Sequence, residues 1–113
     1  MNLQTIIEKL DLVLLTEARD FSDIEITSGY MSDLLSCVMT GASPQSIWVT
    51  LIANINIVAV ASLLEISAVI ITENAQPDQA TIERANMEEI VLLSTPANSF
   101  DVVGHLWDLG VRD

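Results

Sequence analysis

The sequence predicts an α/β domain with a mainly parallel sheet, three core strands covered by helices, and short N-terminal strands added. Three near-continuous apolar runs carry this reading: Ile47-Trp48-Val49-Thr50-Leu51-Ile52, Ala68-Val69-Ile70-Ile71-Thr72 and Ile90-Val91-Leu92-Leu93-Ser94. Strands buried on both faces read as continuous rather than alternating, and a helical segment follows each run. At 113 residues the chain fits a single domain spanning 1–113.

The elements follow in order. Leu3, Ile6, Ile7 and Leu10 have the three-and-four spacing of a short amphipathic helix over residues 2–10. Leu12-Val13-Leu14-Leu15 reads as a short strand, and residues 16–22 as a polar, acidic surface connection. Ile24-Glu25-Ile26-Thr27 alternates and reads as a second strand, closed by a turn at Ser28-Gly29 in which glycine supplies a positive φ. Ser32 is placed to cap the next helix, with Asp33 near its positive dipole end. That helix carries Leu34, Leu35, Val38 and Met39 and is stopped by Gly41. Residues 54–65 form the helix between the first two core strands. Pro77-Asp78 opens the next, with proline suited to a first helical position and Ile82, Ala85 and Met87 facing the core. Asn98-Ser99 caps a last helix through Leu109, with Gly110 just past its end.

Composition narrows the function classes. The formal charge is −12, with only Lys9, Arg19, Arg84 and Arg112 as bases. Nucleic acid and anionic membranes need clustered Lys and Arg, so neither is expected as a partner. Half the residues are hydrophobic, and a domain this small covers only about two-thirds of its unfolded surface. The apolar surplus points to a homodimer, the commonest assembly. Residues 34–64 carry no charge, yet Gly41, Pro44, Asn54 and Asn56 interrupt them, so a buried strand and helix explain them better than a membrane span. Cys37 is the only cysteine and is expected to be a buried, inert thiol in a reducing, cytoplasmic setting. No basic-then-apolar leader is evident at residues 1–9.

Catalytic constellations are thin. His105 is the only histidine and reads as structural or surface; no metal site, Cys-His pair or phosphate-binding glycine loop is present, and no cofactor is expected. Parallel sheets bind ligands beyond the carboxyl ends of their strands. That edge should collect Thr50, Asn54, Thr72, Asn74, Thr95, Asn98 and Ser99, which could hydrogen-bond a polar ligand or simply cap helices and turns. Trp48 is expected in the core. Tyr30 and Met31 either pack over a helix start or wall a pocket or dimer contact.

The ordered series Asp23-Ile24-Glu25-Ile26-Thr27-Ser28-Gly29-Tyr30-Met31-Ser32-Asp33-Leu34-Leu35-Ser36 resembles the signature region of DRTGG-domain proteins. Trp48 and Thr50, Asn56-Ile57-Val58-Ala59-Val60-Ala61, Ile70-Ile71-Thr72, Pro77-Asp78 and Leu93-Ser94-Thr95-Pro96 extend the resemblance from about residue 23 onward. The chain departs from the family name at Ile24, where it has Arg, and at Ser28, where it has Gly. A contact made by that arginine is therefore not carried over. The resemblance implies an α/β fold similar to the N-terminal domain of HPr kinase/phosphorylase. It also implies a dimerising, regulatory, non-catalytic role, with such domains found beside nucleotide-sensing CBS pairs in some pyrophosphatases.

The first expectation is thus a non-catalytic regulatory module that senses a nucleotide or other small anionic metabolite and acts on a partner protein. Its candidate ligand residues are Thr27, Ser28, Gly29, Tyr30, Ser32, Asp33, Thr50, Asn54 and Thr95. Two alternatives stand beside it. One is a small enzyme acting on a phosphorylated or carboxylated metabolite, with Asp33 as acid/base. The other is an assembly adaptor whose acidic face meets a basic partner.

Overall fold

The three apolar runs are buried on both faces, and their residues sort by parity, as successive side chains on a strand must. In this computed structural model, which describes residues 1–113, they form β3 (Ile47–Thr50), β4 (Ala68–Ile71) and β5 (Val91–Ser94). Ile47, Val49, Ala68, Ile70, Val91 and Leu93 turn to one face. Trp48, Val69, Ile71 and Leu92 turn to the other. Helices α2 (Leu35–Gly41), α3 (Asn56–Leu64) and α4 (Gln79–Met87) cover the Trp48 face through Val38, Ile57, Val58, Ala61 and Ala85. The opposite face is covered by α1 (Leu3–Lys9) and α5 (Ser99–Asp108), through Leu3, Ile6, Val102 and Leu106.

Two short strands, β1 (Val13–Leu14) and β2 (Gly29–Met31), complete a five-stranded sheet of order β1-β5-β4-β3-β2. β2 to β5 are parallel, and β1 runs antiparallel to β5. The chain moves one strand at a time from β2 to β5, which keeps its three crossover helices on one face. α5 then returns over the other face and carries the chain end to the outer edge of β2, where Asp113 bonds to Thr27 and Gly29. The three expected core strands and the first of the expected N-terminal strands, at Val13–Leu14, are present, and a short strand lies on each edge of the sheet.

Several local readings are corrected. The second short strand is Gly29–Met31 and not residues 24–27; Glu25 makes only an isolated bridge to Asn2. Gly29 is therefore a strand residue, and Gly110 is the only glycine with positive φ, at 102°. Ser32 does not cap α2: the cap position is Leu34, without a side-chain bond, and Ser32 lies two residues before it, its hydroxyl accepting from the Leu34 N–H at 3.0 Å. Gly41 is the last residue of α2 and leaves room for the Tyr30 ring. Asp78 is the cap of α4, accepting from the Thr81 N–H, so Pro77 lies outside the helix. Within the polar connection, Phe21 is buried. Met87 faces solvent rather than the core. Cys37 is exposed, because it sits on the outer side of α2 while Val38 points in. No helix is long and apolar enough to cross a membrane.

Candidate functional site

Thr50 and Thr72 are fully buried at the carboxyl ends of β3 and β4, and Thr95 is nearly so beyond β5. Buried hydroxyls need partners, and here the protein supplies them. Thr50 Oγ1 donates to Asp33 Oδ1 at 2.8 Å and accepts from the Ile52 N–H at 3.1 Å. Thr72 Oγ1 and Ser99 Oγ share a 2.7 Å hydrogen bond across from β4 to the start of α5. Thr95 Oγ1 accepts from the Ala97 N–H at 3.2 Å. Asn54 and Asn98 accept from the Asn56 and Asp101 N–H groups, at 3.0 and 2.8 Å, and so fix the starts of α3 and α5. The edge predicted from the sequence exists, and its hydroxyls stitch one loop to the next.

Between β4 and α4, Glu73 and Asn74 both adopt left-handed backbone, with φ of 57° and 59°. Two consecutive non-glycine residues there store strain that surrounding bonds must hold. The Glu73 N–H donates to Ala97 O at 2.8 Å and the Asn74 N–H to Thr95 O at 3.0 Å. This loop is therefore pinned against the one that follows β5.

Asp33 lies at this edge without being part of a helix turn. Its Oδ1 accepts from both Thr50 Oγ1 and the Leu51 N–H, each at 2.8 Å. The carboxylate clamps the end of the edge strand to the end of β3. Nearby, the Trp48 indole N–H donates to Ser32 O at 3.0 Å.

The nine candidate ligand residues do not form one cluster. Residues 27–33 run along the sheet edge, and six steps of extended chain span about 20 Å. Ser32, Asp33 and Thr50 meet at the carboxyl edge, with Asn54 and Thr95 on neighbouring loops. Thr27, Ser28 and Gly29 lie at the other end. There Thr27 O accepts from the Arg112 and Asp113 N–H groups, Ser28 O from the Ile47 N–H, and the Gly29 N–H donates to Asp113 O at 3.0 Å. Tyr30 lies between them, half-buried, its ring beside Gly41 of α2.

A cleft of about 180 Å³ opens between β2 and α5, lined by Gly29, Met31, Val49, Trp107, Val111 and Arg112 among others. It is mostly apolar, and small beside the roughly 300–1,000 Å³ typical of ligand pockets. Arg112 is its only base: its Nε donates to Trp107 O at 3.0 Å and its guanidinium lies 5.4 Å from the Trp107 ring centroid. Sequence reading missed this stack, although Trp107 and Arg112 five residues apart around a helix end were its visible signal. No group of three or more His, Cys, Asp or Glu residues is placed to hold a metal ion.

A four-stranded parallel core between helices on both faces, with a capped polar edge, defines a three-layer α/β/α domain. The family model of the DRTGG domain matches residues 22–108, and the chain belongs to that family. Among solved structures, it is similar to the CBS and DRTGG domains of the regulatory region of Clostridium perfringens pyrophosphatase, complexed with the activator diadenosine tetraphosphate. The TM-score is 0.68 at 20% identity over 90% of this chain. That likeness is one of fold, and this chain spans 44% of the other's length. Comparison with curated proteins finds no match.

Proposed function

We propose that this chain is a non-catalytic regulatory module that binds a nucleotide or another small anionic metabolite, self-associates as a homodimer and acts through a partner protein. The observation that carries the reading is its membership of the DRTGG family. A neighbour of the same fold belongs to a regulatory region complexed with a nucleotide activator. The chemistry of the polar edge agrees. Asp33 and the three threonine hydroxyls are engaged in holding loops together, which is the work of a scaffold rather than of a reacting group. In this reading the ligand meets the carboxyl edge around Ser32, Asp33, Thr50, Asn54 and Thr95, where the strained 73–74 loop also lies. It acts by exchanging some of these internal bonds for its own.

A thermal-shift panel of ATP, ADP, diadenosine tetraphosphate and acetyl phosphate tests the reading. A ligand held at a hundred times its Kd stabilises by about 2.7 kcal/mol, which is a shift of roughly 10 °C for a domain of this size. At least one of the panel should give such a shift. A strict monomer that none of them moves would overturn the proposal.

A further inference from the structure

The outer edge of β2 is only half covered. Ser28 O and the Ser32 N–H bond to β3, so the backbone of Tyr30, in step with them, does too. Gly29 and Met31 therefore turn their N–H and C=O groups outward. The chain's own tail meets the first of these. Asp113 donates its N–H to Thr27 O at 3.4 Å and accepts from the Gly29 N–H at 3.0 Å, the bonding of a parallel neighbour opposite Ser28. The ladder stops there. Gly29 O, the Met31 N–H and Met31 O face solvent, and both residues are exposed. An open edge of this kind is a template for another extended chain.

We infer that this edge takes an extended, basic segment of a partner protein, which adds to β2 as a further strand in the parallel register that Asp113 begins. This rests on the proposed action through a partner protein and gives that partner a surface. The exposed groups decide the form of the occupant. Backbone N–H and C=O groups at strand spacing are matched by another strand, and pockets beside them select its alternate side chains. In this register a residue opposite Tyr30 bonds to Gly29 O and the Met31 N–H, and one opposite Ser32 bonds to Met31 O. The residue between them points to the α5 face, because Met31 pairs with Val49 and Val49 lies on that face. There it enters the cleft of about 180 Å³ walled by Met31, Val103, Leu106 and Val111.

An apolar cavity of about 150 Å³ already accepts a benzene-sized group, so the cleft has room for one leucine side chain. Charge sets the flanks. Asp113 stands at one end of the open stretch, opposite Ser28, and Asp33 at the other, about 17 Å along the strand. Arg112, the one base of the cleft, is already held against Trp107. A basic residue on each side of the apolar one thus meets a carboxylate, in a chain whose formal charge is −12. Few backbone bonds and a single seated side chain make the contact weak and reversible, with a Kd on the order of 100 μM.

Fluorescence anisotropy of labelled peptides with the 113-residue chain tests this. The probe is Lys-Thr-Leu-Thr-Lys, blocked at both ends, with its leucine placed for the cleft and its threonines opposite Tyr30 and Ser32. It should bind near the stated Kd. Proline in place of both threonines removes the N–H donors to Gly29 O and Met31 O and should weaken binding about tenfold. Glutamate in place of both lysines should abolish it. On the protein, Met31→Pro removes the outward N–H at a position where an edge strand tolerates proline. Val103→Lys, on the exposed rim of α5, puts a cation beside the leucine. Each should weaken binding about tenfold while the melting temperature holds. Leu63→Ser, on the exposed side of α3, should leave the Kd unchanged. No binding of the lysine peptide at about 1 mM overturns the inference, and so does a proline peptide that binds equally well. Self-association that Met31→Pro abolishes with no peptide present would give the edge to a second copy, which also overturns it. Ligand binding is read separately by the thermal-shift panel, so a failure there and a failure at this edge are distinguishable.

Discussion

Asp33 is where the structural and catalytic readings part most sharply. It is an exposed carboxylate whose Oδ1 holds both Thr50 Oγ1 and the Leu51 N–H at 2.8 Å. Hydrogen bonds to charged groups contribute about 1.5–3 kcal/mol each. Solvent exposure and sharing of one oxygen put the pair near the bottom of that range, about 2 kcal/mol in total. Asp33→Ala should therefore destabilise by about 2 kcal/mol in urea denaturation, with a fall in Tm of roughly 8 °C. Asp33→Asn keeps an oxygen acceptor but loses the charge, and since charge-assisted bonds are roughly twice as strong it should cost about half as much. Thr50→Val removes the other partner. The double mutant should fall short of the sum by about 1 kcal/mol, the coupling expected of residues in direct contact. Hydrogen exchange provides the local check, because the Leu51 amide should lose protection in Asp33→Ala beyond the global change. A loss under about 0.5 kcal/mol with Leu51 protection unchanged would refute the clamp.

Two further outcomes follow from single contacts. A Cβ at Gly41 would lie 2.5–2.6 Å from the Tyr30 ring and hydroxyl. Gly41→Ala should thus lower stability by about 1 kcal/mol despite alanine's better helix propensity, since the last helical residue gains little and the ring must move; near-UV circular dichroism of the one tyrosine should change, and a more stable variant with an unaltered spectrum would disprove the contact. Asp78 has its carboxyl lowered from the ordinary 3.8 by hydrogen bonds from the Thr81 hydroxyl and then the Thr81 N–H. Its contribution is complete above 3.8 and is lost as pH falls through the lower folded value; Asp78→Asn should flatten the acid side of the stability profile, and an acid limb identical to wild type would count against the cap.

Much of the fold could be read because burial on both faces leaves a plain signature. The runs beginning at Ile47, Ala68 and Ile90 have no room for a polar face, so their letters alone distinguish them from amphipathic strands. The start of the last helix at Asn98 was legible for a similar reason, since a side-chain oxygen must meet the free N–H groups of a first turn, whereas apolar spacing marked the first helix and Pro77 the start that Asp78 caps. The edge strand was not. Gly29-Tyr30-Met31 has a glycine and no branched residue, and what makes it a strand is β3 beside it on one side and the 111–113 tail bonded to Thr27 and Gly29 at its start. Neither partner is local in sequence. Ile24-Glu25-Ile26-Thr27 has the better strand alternation, but it lies beyond the ladder, and only Glu25 finds a bridge.

The candidate site divides along the same line. Thr50, Thr72 and Thr95 were recoverable because a hydroxyl at the end of a buried strand has few other uses. Which hydroxyl would meet which partner depended on crossovers that the sequence does not order, and that is why Asp33 read as a helix-dipole residue and proved to be a strand clamp. On α5 the difficulty was different. Phe100, Val103 and Trp107 count equally well toward a helix's core stripe, and only the position of Val102 and Leu106 against the sheet shows that they point away from it. An apolar residue therefore carries no label for the core it belongs to. Helical periodicity says which residues share a face, and it takes the packed sheet to show that this face is left without a partner in the monomer.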